Sequence, residues 1–127
     1  MKEMNAKPVV ILAACFLLCA SSSAAAGDCP PSSIEVAQSV TKEAVNGEPK
    51  YAVRLRNTCR CAQSNVKVAC DGFGTTLPVD PGQLRPVGGG LCLLNGGRPM
   101  KQGQFVAFFY AWSKQFAFQR VSSTVAR

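Results

Sequence analysis

The chain has 127 residues, enough for one domain, and carries 14 lysines and arginines against 7 aspartates and glutamates, a formal charge of +7. It has no histidine, so the commonest general base and the commonest neutral metal ligand are both missing. The basic balance favours acidic partners, including a receptor face, an anionic wall polysaccharide or a membrane surface, without choosing among them.

Lys2 and Lys7 flank a single Glu3 before an apolar run from Val9 to Ala20. This is the n-region and h-region of a secretory signal peptide. A spanning helix needs about 20 apolar residues, and this run stops at Ser21-Ser22-Ser23. Small side chains at Ala24 and Ala26 suit signal peptidase, which predicts cleavage after Ala26, with Ala24 as the alternative. The leader is therefore residues 1–26, and residues 27–127 form a single secreted, extracellular cysteine-containing β domain. Loss of Lys2, Lys7 and Glu3 leaves the mature chain basic. The secretory route argues against nucleic acid as a partner.

Cys15 and Cys19 leave with the leader, and Cys29, Cys59, Cys61, Cys70 and Cys92 remain as disulfide candidates. An odd number in an oxidising space implies two bridges and one thiol that is free or joined to another chain, with the pairing open. Zinc would need four thiolates at poor spacing there, so neither a metal nor a cofactor is expected.

Along the mature chain, Ile34 to Val40 begins with apolar–polar alternation and predicts a strand. The turn signal Asn46-Gly47-Glu48-Pro49 leads to Lys50–Asn57, where Tyr51, Val53 and Leu55 share one face and Arg54 and Arg56 the other. Val66 to Cys70 repeats the pattern, with Val66, Val68 and Cys70 inward. Pro78, Pro81, Pro86 and Gly88 to Gly90 forbid a long helix between 74 and 91. Leu91 to Leu94 reads as a short buried strand closed by Asn95-Gly96-Gly97. Phe105 to Trp112 is apolar throughout, a central strand covered on both faces or a buried helix, with its aromatics favouring strand. Phe116-Ala117-Phe118 alternates and is expected to pair beside it. The class is all-β, a small antiparallel β-sandwich or irregular barrel with disulfides.

The inventory for catalysis is thin, and no enzyme is expected. Asp71 and Asp80 are the one carboxylate pair worth weighing, and each sits beside a turn, where aspartate normally caps backbone. The glycine runs lack a phosphate-loop ending. Tyr110 and Trp112 could stack on sugars in a wall- or carbohydrate-binding module, but their apolar surroundings favour core packing. Arg54 and Arg56, with Lys67 and Arg60 near in sequence, read either as a solvated face or as a basic contact stripe.

Gly47-Glu48-Pro49-Lys50-Tyr51-Ala52-Val53, Asn57-Thr58-Cys59, Val66-Lys67-Val68-Ala69-Cys70, Val79-Asp80-Pro81, Cys92-Leu93-Leu94-Asn95 and Phe109-Tyr110-Ala111-Trp112, in that order, resemble the plant tapetum determinant family from Cys29 to about Val121. The resemblance implies a small secreted cysteine-rich ligand that specifies cell fate in the developing anther by binding the ectodomain of a leucine-rich-repeat receptor kinase, with Arg54, Arg56 and Lys67 as candidate contacts. The pattern departs from the family in three places. Val121 to Arg127 lacks the usual C-terminal cysteine, which would leave Cys59 or Cys61 as the odd thiol. The Cys59-Arg60-Cys61 spacing is tighter than usual. Gly88-Gly89-Gly90-Leu91 stands where acidic residues usually precede the Cys92 motif.

Overall fold

Two sheets form because the apolar–polar alternation gives each strand one face to bury. The computed structural model describes residues 29–126, so the leader predicted over 1–26 lies outside the described residues. After a short 3-10 turn at Pro31–Ser33, the strands are β1 (Ile34–Val45), β2 (Glu48–Asn57), β3 (Gln63–Ala69), β4 (Leu84–Gly88), β5 (Leu91–Leu94), β6 (Phe105–Ala111) and β7 (Gln119–Val125). They make a three-stranded sheet in the order β1-β2-β6 and a four-stranded sheet in the order β4-β5-β3-β7. Every pairing is antiparallel. No helix of the described residues is long and apolar enough to cross a membrane.

β1 and β2 pair from Ile34↔Asn57 to Val45↔Glu48, with a bulge between Val40 and Ala44. Their hairpin closes on Asn46 (φ 52°) and Gly47 (φ 82°), the left-handed pair that a two-residue turn requires. Inward residues of the two sheets then meet: Ile34, Tyr51, Val53, Leu55, Val106, Phe108 and Tyr110 from one side, and Val66, Val68, Leu84, Cys92 and Leu94 from the other. Each such side chain contributes about 1.5–3 kcal/mol by leaving water.

One end of the sandwich is closed by aromatic rings. Phe73, from the turn after β3, lies 5.2 Å from Tyr110, 5.3 Å from Phe116, 5.2 Å from Phe118 and 6.2 Å from Trp112, centroid to centroid. Gly74 lets the indole in, since a Cβ there would sit 3.0 Å from the Trp112 ring. Phe116-Ala117-Phe118 is not a strand beside β6, as its alternation predicts. The Tyr110 hydroxyl accepts from the Phe116 N–H at 2.8 Å and donates to Gln38 Oε1 at 2.7 Å, while Gln38 Nε2 donates to the Phe116 carbonyl at 2.6 Å. Side chains thus satisfy the backbone that a ladder would have used. The chain next forms β7, which pairs with β3 in the opposite sheet.

The other end is held by a buried polar cluster where the chain crosses between sheets. Asn57 is wholly buried, yet its carboxamide is fully bonded. Nδ2 donates to the carbonyls of Cys61 (3.0 Å) and Met100 (2.7 Å), and Oδ1 accepts from the Cys59 N–H (2.9 Å) and from Gln63 Nε2 (2.8 Å). Gln63, also wholly buried, donates onward to Ser33 Oγ and accepts from Ser123 Oγ, which draws in both chain termini of the domain. Its backbone exchanges two hydrogen bonds with Met100, at 3.0 and 2.8 Å.

Around this cluster lie three of the five candidate cysteines. Cys29 is bridged to Cys59, and Cys70 to Cys92 at the far side of the second sheet. The Sγ atoms of Cys29, Cys59 and Cys61 all lie within 4.8 Å of one another. Cys59, one of the two candidates for an odd thiol, is therefore bridged. All three cysteines are buried, at 6%, 7% and 3% exposure.

Asn57→Leu strands the Cys61 carbonyl, the Cys59 N–H and one carboxamide donor of Gln63, leaves the Met100 carbonyl only its bond from the Gln63 N–H, and should lower the unfolding free energy of the oxidised protein by about 3 kcal/mol. Denaturant midpoints check this, and an unchanged midpoint would remove Asn57 from the account. A second expectation concerns Tyr110, whose phenol is raised above its ordinary value of 10.0 by burial. The folded state then keeps this proton beyond the pH at which the unfolded chain loses it, so the contribution is whole below pH 10 and is lost as pH rises above it. In Tyr51→Phe, which leaves Tyr110 as the sole tyrosine, phenolate absorbance should appear only above pH 10 and together with unfolding. Ordinary titration of a still-folded protein would contradict this.

Candidate functional site

The outward face of the β1-β2-β6 sheet collects the exposed cations and rings into rows set by strand register. Glu35, Arg56 and Phe105 form the first row, Ala37, Arg54 and Ala107 the second, and Ser39, Ala52 and Phe109 the third. Small side chains in the second and third rows leave a shallow hollow of about 310 Å³, with Arg54 standing at its wall. Phe105 and Phe109 are 52% and 48% exposed, which makes this the most apolar part of the outer surface of β6.

β6 is an edge strand with one face open, not a strand covered on both faces as its apolar run predicts. Cations take the place of a second layer. The Arg54 guanidinium lies 5.3 Å from the centroid of the Phe105 ring, and Lys50 Nζ lies 4.4 Å from that of Phe109. The free edge is blunted by the 75–83 loop: Gln83 Oε1 accepts from the Ala107 N–H, Thr75 Oγ1 accepts from the Ala111 N–H, and the Thr76 N–H donates to the Ala111 carbonyl. That leaves the face, more than the edge, open to a partner.

The cations differ in what they already hold. Lys50 pairs with Glu43 at 2.7 Å, and Arg56 with Glu35 at 3.0 Å. The hydrogen bond and charge of Lys50 hold the Glu43 carboxyl below its ordinary range. Among the described residues, Arg54 has no ion pair. This face offers charged donors and ring surface, which is the equipment of recognition.

Of the candidate contacts, the structure brings Arg54 and Arg56 together and separates Lys67 from them. Lys67 lies on β3 opposite Leu93 and Ser122, on the outer face of the second sheet. The crossover after Asn57 sends residues close in sequence to opposite sides of the sandwich, and Arg60 stays in the cysteine loop between them. The two aspartates also have structural duties: Asp80 Oδ1 caps the Gly82 N–H at 2.9 Å, and Asp71 packs against Gly90 in the β4–β5 hairpin. Tyr110 is wholly buried, and Trp112 is partly buried against the core. At the hairpin tip, Gly88, Gly89 and Gly90 all adopt positive φ (94°, 65° and 75°), which acidic residues in their place would hold only with strain. Sequence reading missed Phe105 and Phe109 as surface residues. Their spacing of four in a strand, beside the outward Arg54 and Arg56, was the available signal.

A family model described as Tapetum determinant 1, C-terminal, matches residues 30–126. Among curated proteins, the chain is similar to TPD1 protein homolog 1B of Oryza sativa subsp. japonica, with 30% identity over 99 residues that span 77% of this chain and 57% of that protein. It is also similar to TPD1 protein homolog 1 of Arabidopsis thaliana, with 33% identity over 86 residues that span 66% of this chain and 48% of that protein. The chain thus spans about half the length of these relatives. No solved structure matches it. With nearly every described residue inside the family match, the chain belongs to the tapetum determinant family.

Proposed function

We propose that this protein is a secreted, apoplastic ligand of a plant leucine-rich-repeat receptor kinase, acting in anther or reproductive cell-fate specification. The observation that carries this reading is the family match over residues 30–126. Three features support it: the leader-like residues 1–26, two disulfides of the kind that an oxidising compartment maintains, and a basic face with two half-exposed rings. The ligand acts by surface contact, bringing the receptor together with a co-receptor, and no catalytic step is needed.

The wall-polysaccharide alternative is weakened by the burial of Tyr110 and by the cations lying over the Phe105 and Phe109 rings, since a sugar stacks on an open ring face. Binding of the secreted, oxidised protein to the receptor ectodomain should be saturable at about micromolar concentration or tighter, as measured by calorimetry. Absence of binding at that concentration would remove this partner. Retention on wall polysaccharide that survives moderate salt would favour the alternative. Mass analysis of the secreted protein should place its N-terminus at Gly27 or Ala25, and an N-terminus at Met1 would contradict secretion through a cleaved leader.

A further inference from the structure

Phe105 belongs to two surface features at once. On one side its ring lies under Arg54, on the outer face of the β1-β2-β6 sheet. On the other it walls a second, open hollow of about 740 Å³, between the turn after β5 and the start of β6, which is also lined by Arg98, Met100, Lys101 and Gln104. The carboxamide of Asn95 holds the Arg98 guanidinium over the 95–97 turn at 3.2 Å, so the arginine enters this hollow oriented but without a countercharge.

Charge separates this region from the rest of the face. Lys50 and Arg56 are answered by Glu43 and Glu35, whereas Arg54, Arg98 and Lys101 have no ion pair among the described residues. The second hollow has no aspartate or glutamate in its lining. One uncompensated cation therefore lies over the half-exposed ring, and two more line the hollow that the ring walls. Guanidinium groups favour carboxylates through paired donors, and a half-exposed ring beside a hollow favours an apolar side chain. A protein that presents both complements both, whereas an anionic polysaccharide has no apolar side chain to offer.

We propose that Arg54, Phe105, Arg98 and Lys101 form the docking surface for a partner protein segment in which carboxylates surround an apolar side chain. The proposal rests on the reading of this chain as a recognition protein and specifies the surface and its chemistry. It does not depend on the class of receptor.

The test uses the isotopically labelled, oxidised protein, titrated at 0.15 M salt (about 8 Å screening length) with a random copolymer of glutamate and tyrosine. Polyglutamate and polygalacturonate serve as comparison probes. Resonances of Arg54, Phe105 and Lys101 should shift, and the copolymer should bind about tenfold more tightly than either comparison probe. Arg54→Glu with Lys101→Glu should weaken copolymer binding about tenfold or more, whereas Lys67→Glu on the opposite face should change it less than about twofold. All three positions are at the surface, and an unchanged amide spectrum away from the substitutions shows that the variants are folded. The proposal is overturned if shifts map to the β3–β7 face, if the copolymer produces none, if Lys67→Glu is as damaging, if polyglutamate binds as well, which would remove the role of Phe105, or if polygalacturonate does, which would make the face a polysaccharide site. Receptor-ectodomain binding separates the two readings. A receptor that fails to bind, with copolymer binding intact, removes the receptor and leaves the surface. A receptor that binds Arg54→Glu/Lys101→Glu as well as the native protein removes the surface and leaves the receptor.

Discussion

The structure depends on one buried carboxamide. Asn57 ends β2 at the point where the chain leaves the first sheet, and its side chain makes four hydrogen bonds, to the cysteine loop at Cys59 and Cys61, to Met100 and to Gln63. Its backbone adds two more, accepting from Gly103 and donating to Gln104. The end of β2, the cysteine loop with the start of β3, and the distant 100–104 segment thereby meet at one residue without leaving an unsatisfied group in that carboxamide. In a small domain such a cluster is costly when broken and nearly neutral when complete, so it selects one arrangement of the crossover more than it adds stability.

That selection reaches the surface. With the end of β2 fixed against the 100–104 loop, β6 enters in the register that puts Arg56 beside Phe105 and Arg54 beside Ala107. One residue of slippage in β6 against β2 would turn Val106 and Phe108 toward water and Phe105 and Phe109 toward the core. The buried cluster and the cationic, aromatic face are thus consequences of one register. The cations lying over the rings let two phenylalanines stay half exposed on an edge strand, while the 75–83 loop occupies much of the edge through which such a strand would otherwise add neighbours.

Much of this was legible in the sequence wherever alternation was clean. The inward set Tyr51, Val53 and Leu55, the outward pair Arg54 and Arg56, the Asn46-Gly47 hairpin, the strand at Leu91–Leu94 and the all-β class all follow from period and turn chemistry. Failures came where long-range partners decide the outcome. β4 lies in a stretch rich in proline and glycine and is a strand because β5 pairs with it. Phe116 to Phe118 has a strand's alternation, but its backbone is taken by Tyr110 and Gln38. The apolar run Phe105 to Trp112 carries no sign that cations, not a further layer, cover its outer face. Lys67 lies near Arg56 in sequence and across the sandwich in space, because the crossover falls between them. Asn57 reads only as the last residue of a strand, since its burial depends on Met100, 43 residues away, and no local pattern connects the two.

Membership of the tapetum determinant family rests on the match over residues 30–126, which takes in both sheets. The bridges Cys29–Cys59 and Cys70–Cys92 staple opposite ends of the sandwich, and the first closes over the Asn57 cluster. The account stands most directly on the integrity of that cluster, which side-chain amide hydrogen exchange measures in the oxidised protein. Both Nδ2 protons of Asn57 should exchange only through global unfolding, with the same free energy as the slowest core amides of β2. Exchange as fast as that of the exposed Asn46 carboxamide, in a protein that is still folded, would contradict it.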